Sequence, residues 1–498
     1  MTSARIRGLL ALVALAFAPV RRARAEEPAQ WHYVVDVAPD LSRLDVHVEF
    51  ANFLPKRLAL AGGGALDAVT VHEADGADVE VQREERAVRL DAVDTHGGLR
   101  YSVDLAAAAK ARGGVTRTGE DLVTQTGSWL LRPLVVPVDA RFTAVVRTPP
   151  GVGFAVPWPS DGATVEPDGT TSARFHFDRS TWSMVGHAVF GRFARQTLEV
   201  AGASFDVVTL ARSHQATPEG LRRWLRAAIE GIALLHGKFP VPRVLIVVAP
   251  VPGSRGDPVS FGSTWYGGGP HVILDVADVA TDDDLVGEWV ALHELLHTTM
   301  PSVAVEDAWL SEGFVTYYQE VLRARARFHS PVRSWQLIAE GYDRGRSVGT
   351  GAALAKESAT MRSNHTYWRV YWAGAAIAMR LDVELRRASG GKRSLDDVMR
   401  HWSRRAGEVE EVSAASLVTD ADALLGAPIF ATSTAPLLAS PKFPDVAPMW
   451  RWLGVSIGAG GVTCVDAEGA GERDRIMASP ARATAAPVPP APGSVGGR

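Results

Sequence analysis

The sequence predicts an α+β multidomain protein, with an N-terminal antiparallel β domain, a central α/β domain and a C-terminal helical subdomain. Three observations carry that expectation. From residue 31 to about 210, apolar residues recur at every second position in short runs separated by Gly, Pro, Asp and Asn, the pattern of half-buried strands. Around Thr217 the apolar period lengthens to that of a helix and then alternates with short buried-strand runs. Beyond Glu312 the periodic stretches are helical.

Taken in order, residues 1–25 read as a secretory signal: Arg5 and Arg7, an apolar run over 8–20, then Ala23-Arg24-Ala25, with cleavage before Glu26. The run is short for a bilayer and no later stretch reaches the length of a membrane span, so the chain is expected to be exported, to a periplasm or the cell exterior. Its single cysteine, Cys464, forbids an intramolecular disulfide, which leaves stability to the size of the cores. Residues 26–210 form the β domain, with strands near 33–35, 44–50, 69–71, 79–81, 88–90, 101–103, 142–145, 173–177 and 205–210, and a short helix at 106–111. Residues 211–330 form the central domain. There Thr217-Pro218-Glu219 opens a helix with Leu221, Trp224, Leu225, Ile229, Ile232 and Leu235 on its buried stripe, and 244–248 and 272–274 read as buried strands. Thr281, followed by Asp282, Asp283 and Asp284, reads as the start of the next helix, with Leu285, Trp289, Leu292 and Leu296 along its buried side. Residues 331–465 form the helical domain, with helices near 331–342 and 366–387 and another opened by Ser394 with Asp397 three residues on. Residues 466–498, rich in Ala, Pro and Gly, read as a disordered tail.

The chemistry concentrates in His293-Glu294-Leu295-Leu296-His297 and in Glu312, fifteen positions beyond His297. On a helix the two histidines share a face, and Glu294 lies about 100° round from His293. Chance yields on the order of 0.02 such motifs in a chain of this composition. Two histidines and one carboxylate are a standard ligand set for catalytic zinc, which keeps a fourth position open. The expectation is one zinc per chain on His293, His297 and Glu312, with Glu294 free to take the proton of an attacking water.

These residues, together with the run from Trp309-Leu310-Ser311-Glu312-Gly313-Phe314 to Tyr317-Tyr318, resemble the gluzincin metallopeptidases, whose nearest branches are the aminopeptidase N and glycyl-aminopeptidase families. A second block, Tyr371-Trp372-Ala373-Gly374-Ala375, then Leu381-Asp382-Val383-Glu384-Leu385-Arg386 and Gly390-Gly391-Lys392, is similar to the glycyl-aminopeptidase family more than to the other. The resemblance implies a thermolysin-like α/β catalytic domain in a secreted zinc peptidase that acts on peptide or protein substrates. It implies that Tyr371, three residues before Gly374, donates to the oxyanion, with His365 and Tyr367 in reserve. It also implies an edge strand on which a peptide lies by strand addition, for which 261–271, with Trp265 and Tyr266, is the candidate. Glu306 and Asp307 are candidates to orient the ligands.

Three departures stand out. The link from His297 to Glu312 is shorter than in either family, and Ala373 replaces a lysine common there. No glutamate lies between Glu230 and Glu288, so the carboxylate that grips a substrate's free amine in these families is missing; Asp257, Asp275, Asp278 and Glu320 are the acids left for that role. Aminopeptidase and endopeptidase therefore both stay open. A zinc-binding pseudopeptidase, acting as a periplasmic binding or scaffold protein, is the rival reading. With 46% apolar and 22% charged residues the composition is globular, and the charge of −4, or −9 without residues 1–25, argues against nucleic acid or an anionic membrane as partner.

Overall fold

The computed structural model describes residues 28–479 apart from 53–54, 61–65, 73–76, 80, 85–86, 91–97, 111–113, 138, 409 and 459–460. The expected signal and the part of the expected tail from 480 onward lie outside the described residues. Among those residues no helix is long and apolar enough to cross a membrane.

The N-terminal region is built from sheets, as alternation demands. In Gln30–Val37, residues Trp31, Tyr33, Val35 and Val37 are buried, and in Arg43–Ala51 so are Leu44, Val46 and Val48. Eight strands form one sheet in the order Ser160–Val165, Thr171–Phe177, Arg141–Thr148, Gln30–Val37, Arg43–Ala51, Gly98–Asp104, Val69–His72 and Asp78–Val79. The pairings are antiparallel except that Gln30–Val37 runs parallel to Arg141–Thr148. Alternation marks the faces of a strand and not its direction, which is why the parallel pair escaped the reading of an antiparallel domain. Two four-stranded sheets accompany it, and an aromatic core lies within, where Trp158 stacks on Phe177 at 4.5 Å and Phe142 on Phe177 at 5.4 Å. Each such ring contributes about 1.5–3 kcal/mol by its burial. The expected short helix is present as Leu105–Lys110.

The next sheet has five strands in the order Ala194–Val200, Ala203–Thr209, Arg243–Val251, His271–Ala277 and Val259–Trp265. Residues 205–210 thus belong with this sheet and not with the N-terminal ones, pairing in parallel with Arg243–Val251. The reason is that the strand is buried on both faces: Phe205 and Val207 pack toward the helices, while Val208 and Leu210 pack with Ala155 and Val189 of the N-terminal region. Val259–Trp265, antiparallel to His271–Ala277, is the outer strand. Helix Pro218–His236 covers one face, its Thr217 hydroxyl accepting from the Gly220 N–H at 3.0 Å, and its predicted stripe is buried throughout.

Helices come next: Val290–His297, Ala308–Arg325, Pro331–Ser347, Tyr367–Ser389 and Leu395–Trp402 among them. Ser394 and Asp397 form a capping box, and Gly390, at φ 60°, ends Tyr367–Ser389. The stretch read as a disordered tail from 466 departs from expectation at its start, where Ala470–Met477 is a helix with Ile476 and Met477 buried. Arg325 Nε donates to the Ile476 carbonyl at 2.8 Å, and Arg386 pairs with Glu472 at 3.1 Å. Averaging composition over the whole C-terminus hid this short charged helix with an apolar end.

Candidate metal centre

Helix Val290–His297 begins nine residues later than Thr281 suggests. Residues 282–287 are turns, and Gly287, at φ 73°, breaks the path that a helix from Thr281 would take. The acids of that run serve elsewhere. Asp282 accepts from the backbone N–H and hydroxyl of Thr217, both at 2.7 Å, and Asp284 accepts from Thr281 and pairs with Arg255 at 2.8 Å. Capping falls instead to buried Glu288, whose two carboxylate oxygens accept from the Val290 N–H at 2.9 and 2.8 Å. Burial pushes the Glu288 carboxyl up to about 7, against the pull of those amides and of Arg323. Trp289, expected on the buried side, is exposed, because the helix starts only after it.

The helix then presents His293 and His297 on one face, with their Nε2 atoms 3.3 Å apart. Ala308–Arg325 brings Glu312 to them, with Oε2 at 3.4 Å from His293 Nε2 and 3.2 Å from His297 Nε2. These donor atoms form the one group found among the described residues that could hold a metal ion. The three separations fit a tetrahedral ion with ligand bonds of about 2.0–2.1 Å, which holds its donors about 3.3 Å apart. The tautomer fits too. His293 Nδ1 lies 2.9 Å from Gln319 Oε1, and the Gln319 amide donates to Glu320 Oε1 at 2.7 Å, so the oxygen faces the imidazole and Nδ1 must carry the proton. Nε2 is then a bare lone pair directed at the other two donor atoms, the form a metal ligand takes. Burial alone would raise the Glu312 carboxyl, but His297 and His293 hold it well below the usual carboxylate range.

Gln319 takes the outer role expected of Glu306 and Asp307. Glu306 is exposed, with its backbone carbonyl accepting from the Ser358 hydroxyl at 2.7 Å, and Asp307 accepts from the Ala414 N–H at 2.7 Å. Both start or brace helices away from the histidines. Gln319 was legible in principle, since it stands seven positions, two helical turns, after Glu312 on the same face.

Tyr371 reaches the cluster from helix Tyr367–Ser389, its ring stacked on His293 at 6.2 Å and 13°. Burial, then the charges of Glu312 and Glu294, raise its pKa, so the hydroxyl stays protonated and able to donate. His365 and Tyr367 are exposed, Tyr367 meeting Tyr371 edge-on at 6.4 Å. The two helices cross at Gly313 and Gly374: a Cβ at Gly313 would strike the Gly374 backbone, and one at Gly374 the Trp309 carbonyl. Glu312 and Tyr371 therefore ride on either side of a backbone-to-backbone contact.

The outer strand Val259–Trp265 closes the other side, as the resemblance suggests, although the strand ends at Trp265 and His271 opens the neighbouring interior strand. Beside its end lies a cleft of about 1010 Å³ whose walls include Arg179, Trp265, Tyr266, Arg362, Glu410 and Glu411. Glu320 is not available to a substrate, being buried behind the ligands with Gln319 and with Arg323 at 3.1 Å. Asp278 pairs with Arg212 at 3.4 Å.

No protein-family model and no curated protein matches the chain. Solved structures do. An aminopeptidase N family protein from Idiomarina loihiensis superposes with a TM-score of 0.65 at 14% identity, over 85% of this chain and 78% of the other. The M1 zinc metallopeptidase from Deinococcus radiodurans gives 0.54 at 18%, over 84% and 95%. A mutant of the Deinococcus radiodurans enzyme bound to the substrate Tyr-Ser-Ala gives 0.52 at 19%, over 84% and 95%. The fold is that of the M1 zinc metallopeptidases. Nothing in these neighbours supports the scaffold alternative.

Proposed function

We propose that the chain is an exported zinc peptidase with a thermolysin-like catalytic unit, holding one zinc on His293, His297 and Glu312. The observation that carries the reading is the set of three donor atoms 3.2–3.4 Å apart, flanked by Glu294 and Tyr371. Zinc there supplies a Lewis acid for a substrate carbonyl and lowers the pKa of a water molecule. Glu294 takes the proton of the attacking water and returns it to the leaving amine. The Tyr371 hydroxyl donates to the oxyanion as it forms. A peptide lies along Val259–Trp265, whose outward edge is open for backbone pairing, with side chains entering the cleft beside Trp265 and Tyr266. Peptides such as the tripeptide bound by the neighbour are the substrate class this suits.

Incubating the purified, zinc-loaded protein with a mixed peptide library and mapping the cuts by mass spectrometry tests the reading and separates trimming from internal cleavage. Absence of any cleavage, with zinc present at one per chain, overturns it.

A further inference from the structure

We propose that Thr264 is the positioning residue for Glu294. The inference rests on Glu294 acting as the base in the reaction above. One face of the outer strand, Gly262 and Thr264, lies against the histidine helix with the period of two that a strand imposes, and Tyr266 carries the row one residue past the strand's end. At Gly262 an added Cβ would sit 2.5 Å from Glu294 Cγ, so the missing side chain makes the room in which the glutamate lies. The Thr264 hydroxyl lies 2.8 Å from Glu294 Oε2 and 2.7 Å from the Glu294 carbonyl oxygen. Tyr266 continues the row, its hydroxyl donating to the His297 carbonyl at 2.9 Å.

The Glu294 carbonyl is free for this contact because the helix ends at His297 and the Thr298 N–H turns back to Leu295 instead. Thr264 thus has one proton and two acceptors on the same residue. It donates to the carboxylate while that is charged. Once Glu294 has taken the water's proton, the hydroxyl turns to donate a hydrogen bond to the carbonyl and accepts one from the carboxyl. Thr264 stays chemically unchanged, and Glu294 has a fixed seat both before and after it takes the proton. Without the hydroxyl, Glu294 keeps its place in the sequence but loses the contact that fixes its torsions.

The test compares Thr264→Val, which keeps the shape, with Thr264→Ser, which keeps the hydroxyl, using an internally quenched peptide built on the sequence best cleaved in the library. Thr264→Val is expected to hold one zinc per chain, to lower kcat about 10- to 100-fold with KM within twofold, and in a crystal structure to show the Glu294 carboxylate displaced. Thr264→Ser is expected to recover most of kcat. If the valine chain does not fold, Thr264→Ala repeats the measurement. A kcat within twofold of the native value in the hydroxyl-free variant, or a serine variant as slow as the valine one, overturns the inference. Full activity in Glu294→Gln, or an inert native chain, instead overturns the function on which it rests.

Discussion

Glu294 and Glu312 are both half-buried carboxylates beside the same histidines, and their neighbours separate their roles. Glu312 faces two imidazoles within 3.4 Å, which favour its charged form and draw it into the ligand cluster. Glu294 lies outside that cluster and leans on a threonine hydroxyl at 2.8 Å. Replacing Glu312 with Ala should therefore empty the site, whereas Glu294→Gln should retain one zinc and lose about 10²–10⁴-fold in kcat; metal analysis beside steady-state kinetics separates the two. Gln319→Leu should weaken zinc by about 10–100-fold in competition with a chelator, because Nδ1 of His293 loses the acceptor that fixes its tautomer. The clustering of His293, His297 and Glu312 was legible because two histidines four apart share a helix face. Thr264 was not, since a lone hydroxyl carries no periodic signature and gains its contact from what the fold sets beside it, whereas Gln319 showed only through its two-turn spacing from Glu312.

At the scale of elements, the histidine helix depends on its first turn. Glu288, raised to about 7 by burial, holds a proton in the folded chain between its ordinary value of 4.5 and that figure, which the unfolded chain does not. The group's contribution to stability is thus greatest below that window and is lost as pH rises through it, by about 3 kcal/mol in all. Thermal denaturation should show a lower Tm at pH 8 than at pH 5 from this source, and Glu288→Gln should remove most of the difference; an unchanged slope would remove the assignment. Gly262→Ala should cost about 1–3 kcal/mol, read by denaturant titration, as the methyl group meets Glu294 and Val290. Strand and helix positions agreed closely with alternation and caps, as at Thr217 and Ser394. Thr281 misled because Asp284 closes a turn with the same contacts that open a helix, and only Gly287, downstream at positive φ, decides between them. Sheet membership of 205–210 was hidden for a different reason: it depends on a parallel partner nearly 40 residues away.

For the whole molecule, the chain lacks the glutamate that grips a substrate's ammonium in the families it resembles, and one candidate acid, Glu320, is buried beside Gln319 and Arg323. Acetylating the N-terminus of a good peptide substrate should then lower kcat/KM by less than about tenfold, or roughly 1.4 kcal/mol. A thousandfold loss would direct attention to Glu410 and Glu411 in the cleft wall, to be replaced in turn. Sequencing of the mature protein should find Glu26 first; Met1 retained on protein from the cytoplasm would end the export reading. The crossing at Gly313 and Gly374 bears on how such a protein can change. Glu312 stands next to, and Tyr371 three residues from, the point where the two main chains touch, so a side chain at either glycine would push apart the helices that carry them. Substitutions in the walls of the neighbouring cleft, at Arg362, Glu410 or Glu411, then leave that contact untouched.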